Sequence, residues 1–347
     1  MMKTGKISDS VLKRSVLKYI SGSDEAVKKG AEVGSDCAFL CWEGAGLAVS
    51  TQTVSLPVED SSEYAIYAAV NNLAAGGSKP KAVTLAITLP ADAEEDCLKQ
   101  IMSGAARVCK ELQISIAGGH TEVSYGVKSP VITVTAMGEC VKVQRLAKDS
   151  DEAEVQAQNG AVSDRLRPGD AVVLSKWIGL EGTAMLAGAK EQDLLSRYPM
   201  HLVRSARGFK KYLPILPEAA TALKSGVCAM TDVRNGGIFG ALFQLAKGAG
   251  VGLSVDLKAI PVKQETIEIC EFFDVNPYEL LSGGCLLMVA RNGEKLIEEL
   301  QEADIPASII GRITPGNDKV VINGEETRFL EPAKPDEIWK IDFVPTK

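Results

Sequence analysis

Apolar positions along the chain fall into short runs whose spacing switches between helical and strand periods. Residues 9–20 set Val11, Leu12, Val16, Leu17 and Ile20 on one side of a short amphipathic helix. Residues 37–50 predict two short strands around the turn Glu43-Gly44-Ala45-Gly46. Ser61 to Ala75 predicts a helix, with Ser at its start, an Ala-rich body and Gly76-Gly77 to stop it. Lys81 to Thr88 alternates as a strand, Glu94 to Leu112 has the period of a long helix, and Ile114 to Ala117 predicts a buried strand leading into Gly118-Gly119. Val131 to Gly138 is a further strand, dense in β-branched residues. Residues 147–163 have no apolar period and predict a linker or exposed excursion. Beyond it, Arg167-Pro168-Gly169-Asp170 reads as a turn, followed by a strand from Ala171 to Ser175, a glycine turn at Gly179 and Gly182, helices, and a strand-like stretch from Gly226 to Thr231. Gly236-Gly237 opens a helix from Ile238 to Lys247. Strands are expected near Gly252–Val255, Gly284–Ala290 and Ala307–Ile313, with a helix at Gly293–Ala303. The pattern is two α/β halves of similar size.

Composition narrows the class. A chain of 347 residues exceeds one ordinary core, which favours two domains. At 46% hydrophobic and 24% charged residues it is an ordinary globular sequence, not a disordered chain, a collagen or a coiled coil. A net charge of −7 without a basic patch argues against nucleic acid as a partner. The apolar runs are too short and interrupted to predict a membrane span, and residues 1–23 show no signal-peptide core. Eight cysteines are spread singly with no CxxC pair, as expected of small buried hydrophobes in a reducing, cytoplasmic setting. His120 and His201 are the only histidines, too few for a multi-histidine metal site.

Candidate chemistry sits in the glycine turns. Gly34-Ser35-Asp36, Ser50-Thr51-Gln52-Thr53, Gly118-Gly119-His120-Thr121-Glu122 and Asp232-Val233-Arg234-Asn235-Gly236-Gly237 each put hydroxyl, amide or acidic groups after an apolar run. Val70-Asn71-Asn72-Leu73-Ala74 does so inside a helix. Glycine lets backbone N–H groups approach a phosphate, and oxygen side chains can hold Mg²⁺. Neither a Walker A nor a GxGxxG loop is present, and each segment alone also suits a plain turn.

In their order along the chain these segments resemble the PurM/HypE-like superfamily. Gly34-Ser35-Asp36-Cys37-Ala38 is similar to its G-D-D-A-A, Ser50 to Thr53 to S-T-D-T, and Val70 to Ala74 to V-N-D-L-A. Gly118 to Thr121 is similar to G-G-D/E/H-T/S, and Arg167 to Asp170 to R-P-G-D. Lys176-Trp177-Ile178-Gly179-Leu180-Glu181-Gly182-Thr183-Ala184 and Asp232 to Gly237 resemble an AIR-synthase-related or HypE-like subgroup. The resemblance implies a mixed α/β (α+β) fold of two domains: an N-terminal helix or tail over 1–30, an ATP-binding domain over 31–146, a linker over 147–166 and a C-terminal sheet covered by helices over 167–347. It also implies a homodimer whose N-terminal strands share a β-barrel. The implied activity is ATP-dependent activation of a carbonyl or amide-type oxygen by phosphoryl transfer, on a small-molecule or protein-amide substrate. By the same resemblance Asp36, His120 and Glu122 are the candidate catalytic residues. Gly34, Ser35, Gln52, Thr53, Asn71, Asn72, Gly118, Gly119, Thr121, Asp232, Arg234, Gly236 and Gly237 are the nucleotide-binding candidates, and Asp36 and Asp232 the Mg²⁺ ligands.

The sequence departs from the family where metal is held. Ser35, Gln52 and Asn72 stand where the resemblance implies aspartates, so a weak or degenerate Mg²⁺ site is expected. Arg234 and Asn235 replace Thr and Glu, and Arg234 is either a fixed cation for phosphate or a solvated surface arginine. The final residues, Asp342 to Lys347, contain no cysteine, so the tail chemistry of the hydrogenase-maturation dehydratase is not expected. A homodimer that binds a nucleotide or another anion without catalysis is the alternative, and a dimer with a vestigial site the third reading.

Overall fold

A computed structural model describes residues 4–20, 26–33, 35, 37–42, 45–140, 166–332 and 334–343, except for the side chains of Trp42 and Ala45. The first part carries α1 (Asp9–Ser15), β1 (Val27–Lys29), β2 (Ala38–Trp42), β3 (Ala45–Val54), α2 (Ser61–Ala75), β4 (Ser78–Pro90), α3 (Glu95–Glu111), β5 (Ser115–Ser124) and β6 (Val131–Cys140). The second carries β7 (Ala171–Ser175), α4 (Leu180–Ala189), α5 (Glu191–Leu195), α6 (Met200–Arg207), α7 (Leu216–Ser225), β8 (Ala229–Val233), α8 (Gly237–Ala249), β9 (Gly252–Asp256), α9 (Gln264–Phe272), β10 (Cys285–Ala290), α10 (Gly293–Glu302), β11 (Ala307–Thr314), β12 (Lys319–Asn323) and β13 (Glu326–Phe329).

The six-stranded first sheet has the order β1-β2-β3-β6-β4-β5, and the seven-stranded second sheet β13-β12-β9-β11-β7-β10-β8. Among the described strands, β4–β5 and β12–β9 pair in parallel and the other pairs are antiparallel. This is the mixed two-sheet architecture expected of the chain. The linker expected at 147–166 lies outside the described residues except for Leu166.

One helix organises the junction. Every residue of α2 is buried, its polar Ser61, Ser62, Glu63, Asn71 and Asn72 at the two ends as well as the apolar stretch 65–70 between them. It packs on β3, β6 and β4 of the first sheet and touches β8 and α7 of the second part. One apolar cluster therefore runs from Phe39, Ile66 and Val134 through to Leu180, Phe209 and Ile269. The second sheet has two covered faces. Val172, Leu174 and Leu287 pack against Ile238 and Leu242 of α8. Val173 and Met288 pack against Ala219 and Ala222 of α7 and against Leu296 and Leu300 of α10.

Several expectations shift. The helix expected over 9–20 ends at Ser15 and gives way to a 3-10 turn at Leu17–Tyr19. Residues Val27–Lys29, expected in the tail, form a strand on β2. The buried strand expected at Ile114–Ala117 runs on through the glycine pair to Ser124, and most of it is exposed because β5 is a sheet edge. Gly119 is required there: a Cβ would run into the Leu85 backbone of β4. Gly226 closes α7 in a left-handed conformation, so β8 begins three residues later than the apolar pattern suggests. Among the described residues, no helix is long and apolar enough to cross a membrane.

Candidate functional site

The C-terminal end of α2 sends two asparagines in different directions, because successive residues on a helix point about 100° apart. Asn71 reaches into the second part, where Nδ2 donates to Leu213 O (2.8 Å) and Oδ1 accepts from Ile215 N (3.2 Å). Asn72 turns to the first sheet, where Nδ2 donates to Ser50 Oγ (3.0 Å) on β3. Lys176 grips the same 212–215 segment from the other side, donating to Tyr212 O (2.7 Å) and Pro214 O (2.8 Å) while pairing with Glu218. Burial pushes the Lys176 pKa down, and Glu218 opposes that shift.

Gln52 lies two residues beyond Ser50 and meets Arg234 from the turn after β8. Nη1 of Arg234 donates to Gln52 Oε1 at 3.4 Å. The rest of the guanidinium faces Glu181 of α4, with Nε 3.2 and 3.1 Å from its two oxygens and Nη2 2.9 Å from Oε1. Arg234 is thus no surface residue: its side chain is 10% exposed and that of Glu181 3%. Asp232, on β8, is buried beside them. Gly236, at the end of this turn, donates its N–H to Asp336 Oδ2 (2.7 Å), while Oδ1 accepts from Leu281 N (3.1 Å) and Ile338 N (3.0 Å). Burial pushes the Asp336 carboxyl up to about 7 despite these three donors.

The remaining candidates lie elsewhere on the first sheet. Gln52 pairs with Val134, Val134 with Leu85 and Leu85 with Gly119, so Gln52 and Gly119 share a row. Three strand spacings, about 14 Å, separate them. The next row holds Thr53, Thr133, Ala86 and His120 on the opposite face. There Thr53 Oγ1 is 2.9 Å from Thr133 Oγ1 and Thr51 Oγ1 is 3.0 Å from Thr135 Oγ1. His120 Nε2 is 3.5 Å from Glu122 Oε2, with both side chains more than half exposed. Gly118 and Thr121 belong to the same exposed edge strand. Ser35 Oγ donates to Cys37 O (2.9 Å). Gly34 and Asp36 lie outside the described residues.

Within one chain the structure therefore brings Gln52, Asn72, Asp232, Arg234 and Gly236 to the junction of the two sheets. It leaves Thr53, His120 and Glu122 on the outer face. Sequence reasoning gave no role to Glu181 or Asp336. Glu181 had one signal, a lone acid in an apolar stretch, whereas Asp336 meets its partner 100 residues away. Among the described residues no three His, Cys, Asp or Glu side chains stand together as a metal site. The described groups do not fit a carboxylate-held Mg²⁺, since Gln52 offers its oxygen to a guanidinium and Asn72 brings an uncharged amide in place of a carboxylate. A separate cavity of about 520 Å³ opens at the other end of α2, beside Ser61, Ser62, Gln100 and Arg107.

Two family models match the chain: the AIR synthase related protein N-terminal domain over residues 34–140 and its C-terminal domain over 167–323. The chain belongs to the AIR synthase-related family. Members of this PurM/HypE-like superfamily include a carbamoyl dehydratase HypE of Rhodobacter capsulatus, to which the chain is 27% identical over 262 residues, 74% of this chain and 71% of that protein. Among solved structures, one of a HypE–HypF complex superposes with a TM-score of 0.71 at 22% identity, covering 92% of this chain and 99% of that one. A hydrogenase maturation protein HypE in complex with ATP superposes with a TM-score of 0.67 at 20% identity, covering 97% of this chain and 98% of that one. At such identities these structural likenesses establish the AIR synthase-related fold.

Proposed function

We propose that this chain binds ATP with the phosphates directed at the junction of its two sheets, as part of a homodimer. The bound nucleotide would activate a carbonyl or amide-type oxygen of a small molecule or protein by phosphoryl transfer. The convergence of Gln52, Asn72, Asp232 and Arg234 from three separate segments carries this reading, and the ATP complex of the related HypE supports it. The second copy would cover the outer face of the first sheet, where Thr51, Thr53 and the β5 edge are exposed. His120 and Glu122, on that face, would then line the nucleotide cleft of the second copy. Asp36 is the remaining acid proposed to face the phosphates.

One observation favours a second reading, a homodimer that holds nucleotide without turning it over. At the three positions where acids would neutralise a triphosphate, Ser35, Gln52 and Asn72 are uncharged and each is hydrogen-bonded within the protein. Thermal shift with ATP, ADP and AMP measures binding, and phosphate release measures turnover. A melting temperature that ATP raises, together with phosphate release, supports the first reading. A raised melting temperature without phosphate release selects the second, and no shift with any nucleotide refutes both. Light scattering at micromolar concentration tests the dimer.

A further inference from the structure

At the junction of the sheets Arg234 pairs with the buried Glu181, and the buried acids Asp232 and Asp336 also act electrostatically on its guanidinium. Buried acids need a proton, a metal ion or a protein cation to balance them. Arg234 meets Glu181 side-on through Nε and Nη2, with three contacts between 2.9 and 3.2 Å. Its Nη1 reaches across to Gln52 Oε1 on the first sheet. The backbone makes room for the pair at Gly283, where a Cβ would run into Glu181 Oε2. Burial alone pushes the guanidinium pKa down, but Glu181, with Asp232 and Asp336 behind it, outweighs burial and raises it.

We propose that Arg234 is the resident cation of this acid pocket, standing where a divalent ion would otherwise be drawn, and that it keeps divalent ions out. A dication taking Gln52 Oε1 as a ligand would lie beside a guanidinium that donates to the same oxygen at 3.4 Å. Like charges that close, away from water, repel strongly. A glutamine suits this arrangement, because its neutral oxygen accepts the Arg234 proton without adding another negative charge. The consequence for nucleotide rests on the ATP reading above: the phosphates would meet a guanidinium, which recognises them without metal.

Mn²⁺ titrated into the full chain and followed by its electron paramagnetic resonance tests the cation directly. Wild type should show no saturable site tighter than about 1 mM. Arg234→Ala should gain one Mn²⁺ per chain, about tenfold tighter or more, while Arg234→Lys should still exclude the ion. A saturable site on wild type, or none on folded Arg234→Ala, overturns the proposal. Should Arg234→Ala not fold, Gln52→Glu decides: the new acid would pair with Arg234, so no Mn²⁺ uptake supports the proposal and one bound ion overturns it. Calorimetric titration of ATP separates this inference from the one it rests on. Affinities within about threefold with Mg²⁺ and with chelator support a metal-free site. ATP bound only with Mg²⁺ sinks the role of Arg234 and spares the ATP reading. ATP bound in neither condition sinks the ATP reading, and the Mn²⁺ result then judges Arg234.

Discussion

Gln52 and Thr53 are neighbours in sequence and belong to opposite environments. Gln52 faces the junction, where Arg234 pairs with Glu181 and the acids Asp232 and Asp336 are buried. Thr53 faces outward, in a row that ends at the exposed His120. Strand alternation explains the split. The two faces obey different electrostatics. At the junction each charge depends on a specific partner, since water does not screen it. On the outer face an ion pair adds little, because water screens it and solvates each member alone. The inner group is therefore expected to govern stability, and the outer group to matter only to what approaches that face.

The sharpest way to break this contrast is to remove one charge from the junction. Glu181→Gln leaves Arg234 buried beside a neutral amide and should cost about 3 kcal/mol in urea unfolding. Neutralising both in Glu181→Gln/Arg234→Gln should recover much of that loss, because neither charge is then stranded. If the single variant unfolds within about 0.5 kcal/mol of wild type, in the range of an ordinary surface change, the junction is not held by its ion pair.

A second test uses pH. The Asp336 carboxyl is held at about 7 against an ordinary 3.8, chiefly by burial. The folded chain thus binds this proton more tightly than the unfolded one. Its burial costs nothing below the unfolded pKa. The penalty grows as pH rises from about 4 to about 7, is complete above that, and amounts to roughly 4 kcal/mol for a shift of this size. Unfolding measured across this window should show stability falling with rising pH, and Asp336→Ala should flatten that slope. An unchanged slope in the variant would assign the pH dependence to other groups.

The asparagine pair gives a smaller and more local contrast. Asn71→Ala strands the Leu213 carbonyl and the Ile215 N–H and should cost about 2–3 kcal/mol, whereas Asn72→Ala loses one bond to a hydroxyl and should cost about 1 kcal/mol. Equal losses would mean that the 213–215 segment is not anchored through Asn71.

Much of this arrangement was legible in the chain. The period of Ser61–Ala75 and its glycine stop place α2 correctly, and β-branched density places β6. Glycine pairs marked the turn before α8 but misled at Gly118-Gly119, which lie inside an edge strand where Gly119 lets β5 approach the Leu85 backbone. Alternation separates Gln52 from Thr53, yet only packing against α2 and β8 decides which of them faces inward. The Asp336–Gly236 bond has no local signature, since its partners meet only after the second sheet has closed.

The smallest expected effect belongs to His120. Its side chain is 72% exposed, and Glu122, 3.5 Å away, is half exposed. His120→Ala should therefore change unfolding stability by no more than about 0.5 kcal/mol. Its influence should appear instead in nucleotide binding, if a second copy closes over this face and brings phosphate to it. An imidazole there would donate a hydrogen bond to the phosphate, so His120→Ala should weaken ATP binding about fivefold, and His201→Ala, on α6, should not. Titration of ATP against the three proteins distinguishes these outcomes. Matching affinities for His120→Ala and wild type would place His120 outside the nucleotide cleft.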